Sequence, residues 1–397
     1  MANTNLTIDM ITNEALMILH QKLNFIGTVN RSYDDSYAKS GAKIGDTLRI
    51  RLPNEYTIRS GATLSAQDTT TTKVDLAVST QKGVDVNFTS EELTMDIDRF
   101  SENILAPAMS VLAANVEADA MSMYKDVYNF VDNAGSSMTF AKALEASKKL
   151  TDSLAPYDNR CLNLNTQDNV DMVDALKGLF NAEDKLSSNY KEGRLAGPFG
   201  GFSDIYENTM WGNHTTGTAA ATTGYLVNGA SQTGSTLTVD TGSTTFLDGD
   251  VITIAGVNRV HPETKADTGV LQQFVVTADS GASATSLSIS PAITTSTGAQ
   301  NVTGSPADNA AISKVGGGAS SVFTNTMAYH KDAFAFATAD LVMPQGVDMA
   351  SRKVMDGISL RIVRNYDINN DKFPCRIDIL YGYSAIRPQL ACRIGNN

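Results

Sequence analysis

The chain has 397 residues, a formal net charge of −12 and three cysteines. That length suffices for one large core or two to three smaller ones. The acidic balance argues against a surface that grips nucleic acid, which needs clustered Lys and Arg to displace counterions. Cys161, Cys375 and Cys392 are too few and too scattered for a disulfide framework or a CxxC metal site, which points to a reducing compartment. No basic segment followed by an apolar run opens the chain, so no signal peptide is expected. No run of about 18 apolar residues exists, so no membrane span is expected.

The first element is an amphipathic helix. Thr7 can cap it, and Ile8, Ile11, Ala15, Leu16, Leu19 and Leu23 recur at helical spacing. Alone it is marginal, so it must dock on its own body or on a neighbour. Three alternating runs follow. "TLRIRLP" sets Leu48, Ile50 and Leu52 against Arg49 and Arg51, "KVDLAVS" offers Val74, Leu76 and Val78, and "GVDVNFT" offers Val84, Val86 and Phe88. This period of two marks half-buried strands. The polar stretch between the first two runs is about 20 residues, long for a hairpin connection and typical of functional loops. A hairpin without its own core needs an outside surface.

The period then changes to 3.6. Phe100, Ile104, Ala108, Val111, Leu112, Val116, Ala120, Met123 and Val127 define a helix expected to reach Phe130, with Pro107 as a kink or restart. Its methionines, Met109, Met121 and Met123, read as core filling, with an oligomer contact as the lesser option. Residues 139–210 alternate helix and strand signals and end near a tight turn at Gly197, Gly200 and Gly201.

From about Thr215 the composition shifts to Thr, Ser, Gly, Ala and Asn. Six short strands ("GYLVNG", "STLTVD", "DVITIAG", "VLQQFVVT", "TSLSISP", "AAISKV") predict a small antiparallel barrel over residues 223–316, left through Gly316–Gly318. Its inward face should be Leu237, Val239, Ile252, Ile254, Phe274, Val276, Leu287 and Ile289. The apolar segment "AYHKDAFAFATADL" follows, and then the long strands "GISLRIVRNYD" and "FPCRIDILYGYSAIRP", with Ile358, Leu360 and Ile362 on one face.

Familiar catalytic signatures are missing: there is no Walker loop, dinucleotide fingerprint, HExxH or GxSxG. His20, His214, His261 and His330 have no repeated metal spacing and read as packed or surface histidines. Asp367, Asn369, Asp371 and Asp378 match a calcium-loop spacing, but Lys372 stands where that loop wants Gly, so a hairpin turn is expected. "DGD" at Asp248–Asp250 is turn chemistry. No catalytic residue, cofactor or metal is assigned.

The order of elements resembles the major capsid (coat) proteins of tailed phages with the Hong Kong 97-like fold. It is most similar to coat proteins of short-tailed phages that carry an inserted β domain. The stretches that carry the likeness are "GFSDIYEN", "LDGDVITIAGV", "AYHKDAFAFATADLVMP" and "CRIDILYGYSAIRPQLACRI". The resemblance implies an α+β fold with an N-terminal arm (1–30), an extended hairpin (45–90), a spine helix and peripheral domain (91–135), and an axial domain (136–222). The inserted barrel (223–316) and a return through axial and peripheral domains (317–397) complete it. It implies a non-enzymatic subunit that self-assembles into hexamers and pentamers of an icosahedral shell around double-stranded DNA. The implied partners are a portal, a separate scaffolding protein (because the arm starts almost at Met1) and decoration proteins, with assembly in the host cytoplasm. Arg49, Arg51, Arg59, Glu55 and Lys73 become candidate inter-subunit contacts. Some members form Lys–Asn cross-links. Lys73 lies on the hairpin, but no partner Asn or carboxylate is identifiable, so no cross-link is expected. A β-rich, adhesin-like surface protein is the alternative. The Thr/Ser/Gly-rich insert favours it, and the long helix and missing signal peptide oppose it.

Overall fold

The computed structural model describes residues 8–31, 47–59, 61–64, 66–67, 71–89, 104–176, 198, 200–296, 298–355 and 357–396. Thr7, Phe100 and Gly197, singled out above, lie outside the described residues. The chain forms two compact units, each built from separated segments.

The first unit comprises Met1–Arg51, Lys73–Met121 and Phe334–Ile386. Its helices are α1 (Ile8–Lys22), the single turn α2 (Phe25–Thr28) and α3 (Ala106–Met121). Its strands are β1 (Thr47–Arg51), β2 (Lys73–Ala77), β3 (Thr80–Thr89), β15 (Phe334–Ala339), β16 (Met349–Met355), β17 (Ile358–Arg364) and β18 (Lys372–Ala385). Strands β15, β18, β17 and β16 follow one another in an antiparallel sheet, and β3 pairs along β18. As the alternation requires, Ile358, Leu360 and Ile362 are buried. The first helix docks on its own body: Ala15, Leu16 and Leu19 are buried, and α1 packs on β16, β17 and α3. A buried carboxylate fixes the following turn. Glu117 of α3 accepts hydrogen bonds from the backbone N–H groups of Asn24 and Phe25, both at 2.8 Å. It thereby satisfies donors that the start of α2 leaves unpaired.

The long helix is shorter than its period suggested. It runs 16 residues from Ala106 to Met121, about 24 Å rather than 30 Å or more. Pro107 is the second residue of this α-helical run, which the π-helical Ile104 and Leu105 precede. Val111, expected on the apolar face, is 57% exposed. Beyond Met121 the chain tightens into a 3-10 turn, Ser122–Asp126, and then enters strand β4 (Phe130–Asp132). Met123 and Tyr124 are buried in that turn, so tertiary packing overrides the local period. The Asp367–Asp371 spacing is indeed a hairpin turn: Asp367 bridges Lys372, and its carboxylate accepts from Asn369 N and Asn370 Nδ2. The fourth member, Asp378, is buried and pairs with Arg361 at 2.6 Å.

The second unit comprises Leu52–Thr72, Ser122–Ala333 and Arg387–Asn397. Beside β4 it holds β5 (Arg160–Leu164), β6 (Asp204–Glu207), β7 (His214–Thr215), β14 (Val322–His330) and β19 (Ala391–Asn396). They form one sheet in the order β4-β19-β14-β5-β6, with β7 on β14. Helix α4 (Phe140–Asp152) packs on β4, β14 and β19, and α5 (Thr166–Leu176) on α4. The apolar segment at 328–341 thus resolves into the end of β14 and the whole of β15, separated by the 3-10 turn Lys331–Ala333.

Between β7 and β14 the chain forms a closed six-stranded barrel. Its strands are β8 (Thr222–Val227), β9 (Gly234–Asp240), β10 (Val251–Val260), β11 (Asp267–Val276), β12 (Ser286–Ile293) and β13 (Ala311–Val315), in the order β10-β11-β12-β9-β8-β13. All eight residues of the expected inward face lie in its core, joined by Tyr225, Val227, Phe246, Val257, Val302, Ile312 and others. The first and last strands are neighbours, with Ala311 opposite Leu226. The chain therefore leaves the host and returns to it at one place. Gly316 and Gly317 make the exit with φ of 97° and 64°, a left-handed backbone that glycine adopts without a Cβ clash.

Candidate functional site

Two features carry chemistry that the cores do not need: the hairpin with its loop, and the seam by which the barrel joins its host sheet.

Strands β1 and β2 pair in register, Thr47 opposite Ala77 and Arg51 opposite Lys73. Ile50 and Leu76 are buried, and Gly382 lets the backbone of Ala77 and Val78 lie directly on β18. The base of the hairpin therefore finds the outside surface it needs on β18, within its own unit. Arg49 and Arg51 occupy the exposed face, Arg49 across from Asp75, and Lys73 sits 3.9 Å from Asp75. The loop 52–72 begins with Leu52 N donating to Thr72 O at 3.0 Å. Thr57 and Gln67 then exchange hydrogen bonds of 2.9 and 2.5 Å. Arg59 caps its own turn through Gly61 O. Glu55 lies 3.7 Å from Lys265. The five candidate contacts thus fall into two groups, Arg49, Arg51 and Lys73 on the ladder and Glu55 and Arg59 in the loop. Ile58 is 97% and Leu64 82% exposed, a cost that water imposes until something covers them.

The seam explains a departure from alternation in the barrel. Val251 and Ile252 are both buried, as are Phe274, Val275 and Val276. Ile252, Phe274 and Val276 point into the barrel. Val251 and Val275 point outward and cluster with Phe130 and Phe323 of the host sheet. Around this apolar patch runs a polar rim. The Gln273 amide accepts from Phe130 N at 2.9 Å and donates to Phe130 O at 3.0 Å, so it extends the edge of β4 like another strand residue. Lys149 donates to the same Gln273 at 2.6 Å.

The turn Leu247–Asp250 inserts into the host. The Asp250 carboxylate accepts from Leu247 N at 2.9 Å, Gly217 N at 3.0 Å and His214 Nε2 at 3.1 Å. Burial pushes the Asp250 pKa up, but these hydrogen bonds outweigh it, and the net shift is below the ordinary value. Burial holds His214 below its ordinary pKa despite the bond to Asp250. The pair is therefore a neutral imidazole donating from Nε2 to a carboxylate, with Nδ1 left to accept from Tyr124 Oη at 3.4 Å. Arg393 is fully buried against the rings of Tyr124 and Phe130 and donates to Gly249 O, while its Nε and Nη1 have no partner. Burial lowers it to about 10. Lys125 and Asp248 close the rim at 3.2 Å. His214 and "DGD", read separately as a packed histidine and a turn, are one joint. The continuous runs "DVITI" and "FVV" were the available signal, because strands buried on both faces lose alternation.

His214 and Asp250 are both sealed from solvent, so the pair holds the barrel rather than serving a substrate. Burial raises the thiols of Cys161 and Cys392 to about 12 and Cys375 to about 11, leaving no thiolate nucleophile among them. Among the described residues no group of three or more His, Cys, Asp or Glu could hold a metal, and no helix is long and apolar enough to cross a membrane.

A family model described as "P22 coat protein - gene protein 5" matches residues 1–394. The chain belongs to the P22 coat protein family. It is a major capsid protein, a structural subunit that forms the multimeric shell of a tailed phage. The family match sets aside the surface-adhesin alternative. Among solved structures, that of Mycobacterium phage Che8 is 13% identical, covers 94% of this chain and 90% of its own, and has a TM-score of 0.46. The mature capsid of bacteriophage PhiM1 is 12% identical, with 93% and 87% covered and a TM-score of 0.45. The CUS-3 coat protein I-domain is 34% identical over 24% of this chain and 96% of its own, with a TM-score of 0.20. No curated protein matches the chain. The assignment rests on the family match.

Proposed function

We propose that this coat protein occupies hexamers and pentamers of an icosahedral shell enclosing double-stranded DNA, and that its hairpin is the element a neighbouring subunit completes. The arm (1–30), extended hairpin (45–90), spine and peripheral segment (91–135), axial segment (136–222), insert (223–316) and return (317–397) are the working division of that subunit. The observation that carries the reading is the loop tip. Ile58 and Leu64 are large, apolar and almost fully exposed, in a loop none of whose described residues is buried. Arg49, Arg51 and Lys73 on the exposed ladder face, with Arg59 and Glu55 beyond it, are the charges such a neighbour would meet. The net charge of −12 favours a wall that houses DNA without gripping it. A separate scaffolding protein, a portal and decoration proteins are its proposed partners, with assembly in the host cytoplasm.

The test replaces residues 55–72 with a short turn. The variant should fold as a monomer by circular dichroism and sedimentation, yet give no closed shells in negative-stain images with scaffold present. Normal closed shells would sink the assignment of the hairpin.

A further inference from the structure

The loop is not free along its whole length: its first residues cross the barrel of the same chain. At Gly298, in the connection between β12 and β13, a Cβ would lie 2.3 Å from Glu55 O and 2.9 Å from Tyr56 N. Any other residue there would displace the crossing, since backbone cannot yield as a flexible side chain does. Beside it, the β10–β11 turn presents a cation. His261 N donates to Ala266 O and Lys265 N to His261 O, and His261 Nδ1 accepts from Glu263 N and Thr264 N. Lys265 is thereby aimed, its side chain only 15% exposed and its ammonium shared between Gln300 O at 3.3 Å and the Glu55 carboxylate at 3.7 Å. Below the crossing, Glu55, Tyr128, Arg259, Lys265 and Arg387 help line a cavity of about 290 Å³.

We propose that the barrel is a seat for the chain's own loop, so that the insert sets where the loop tip points before a neighbour meets it. Glu55 is more than half exposed, so its pair with Lys265 is partly screened and orients the loop. Gly298, lacking a Cβ, leaves room for the backbone of Glu55 and Tyr56 to lie against the barrel. The seat needs only one chain. Its consequence for shells rests on the reading that the tip engages a neighbour.

A zero-length carbodiimide tests the seat on the full-length chain. It joins a carboxylate to an amine as an amide, with the water taken up by the reagent. In dilute, unassembled subunits, peptide mapping should find Glu55 joined to Lys265, alongside the control pair Lys125–Asp248. The control without Glu55–Lys265 would overturn the proposal. Gly298→Val should cut the Glu55–Lys265 yield by about threefold or more through the backbone clash, with Lys125–Asp248 unchanged. An unchanged yield would place the crossing elsewhere. If Gly298→Val fails to fold, the wild-type result still decides. In shells grown from equal parts of isotope-labelled and unlabelled subunits, linked peptides should be wholly labelled or wholly unlabelled. Mixed peptides would assign the contact to a neighbour and overturn the seat. Absence of shells altogether would count against the assembly reading and leave the subunit result standing.

Discussion

The barrel and the loop 52–72 belong to one compact unit and follow opposite rules. The barrel closes on itself, so its sheet has no open edge, and sixteen buried side chains fill it. The loop crosses the barrel at one glycine and then carries Ile58 and Leu64 into water. One region completes its own core, and the other exposes apolar surface that only a further surface can cover. The contrast teaches where a shell subunit can store stability and where it must stay incomplete. On the proposed function, self-sufficient parts keep the monomer folded, while the unfinished parts are where a neighbour gains by covering apolar surface.

The largest effect should come from breaking the barrel. Phe274→Ala removes a fully buried ring and should cost about 3 to 5 kcal/mol, read as a lower midpoint in urea unfolding of the subunit. Residues 223–316 expressed alone should give a cooperative thermal transition. A featureless melt would mean that the barrel needs its host, and the contrast would weaken.

The seam comes next. Asp250→Ala strips the partner from His214 and from two backbone N–H groups and leaves Arg393 farther from compensation, at a cost of about 3 kcal/mol. The same joint sets a pH dependence. His214 has a folded pKa below 6.5, so its contribution is full above 6.5 and declines as pH falls below it, because the unfolded chain takes the proton first. Asp250 is also depressed, from 3.8, and its contribution is lost as pH falls through its folded value. Both make acid loosen the seam. Asp168 acts oppositely: burial raises its pKa despite bonds from Thr326 and Asn396, so its protonation favours the folded state. Unfolding titrations of wild type and His214→Asn isolate the first contribution. The variant should show a shallower decline below 6.5, with the remainder due to His330, whose pKa burial also lowers.

The smallest effect on the monomer should come from the loop tip. Ile58→Ser touches no core and should shift subunit stability by no more than about 0.5 kcal/mol, while lowering the yield of closed shells in electron micrographs. Equal losses in both readouts would mean that the tip is part of the subunit's own fold.

What the sequence revealed follows the same division. Barrel strands were legible because inward Leu237 and Val239, and Leu287 and Ile289, alternate with polar Thr, Ser and Asp, and the hairpin because Ile50 and Leu76 do the same. The end of α3 was not, because Met123 and Val127 keep the helical period while packing in a different unit. The seam was legible only in part: "FVV" signals two-sided burial, but nothing local says that Asp250 meets His214 or that Arg393 lies beneath them. A buried Glu117 capping α2 from more than 90 residues away is equally invisible to period and propensity. Strand β16 escaped because "MASRKVM" mixes charges into a half-exposed strand.

Hydrogen exchange in free subunits and in assembled shells tests the central contrast most directly. Amides of β10 and β11 should be equally protected in both. Those of Ile58 and Leu64 should exchange fast in subunits and slow by about tenfold or more in shells. Loop amides that stay fast in shells, or barrel strands that gain their protection only there, would contradict the account.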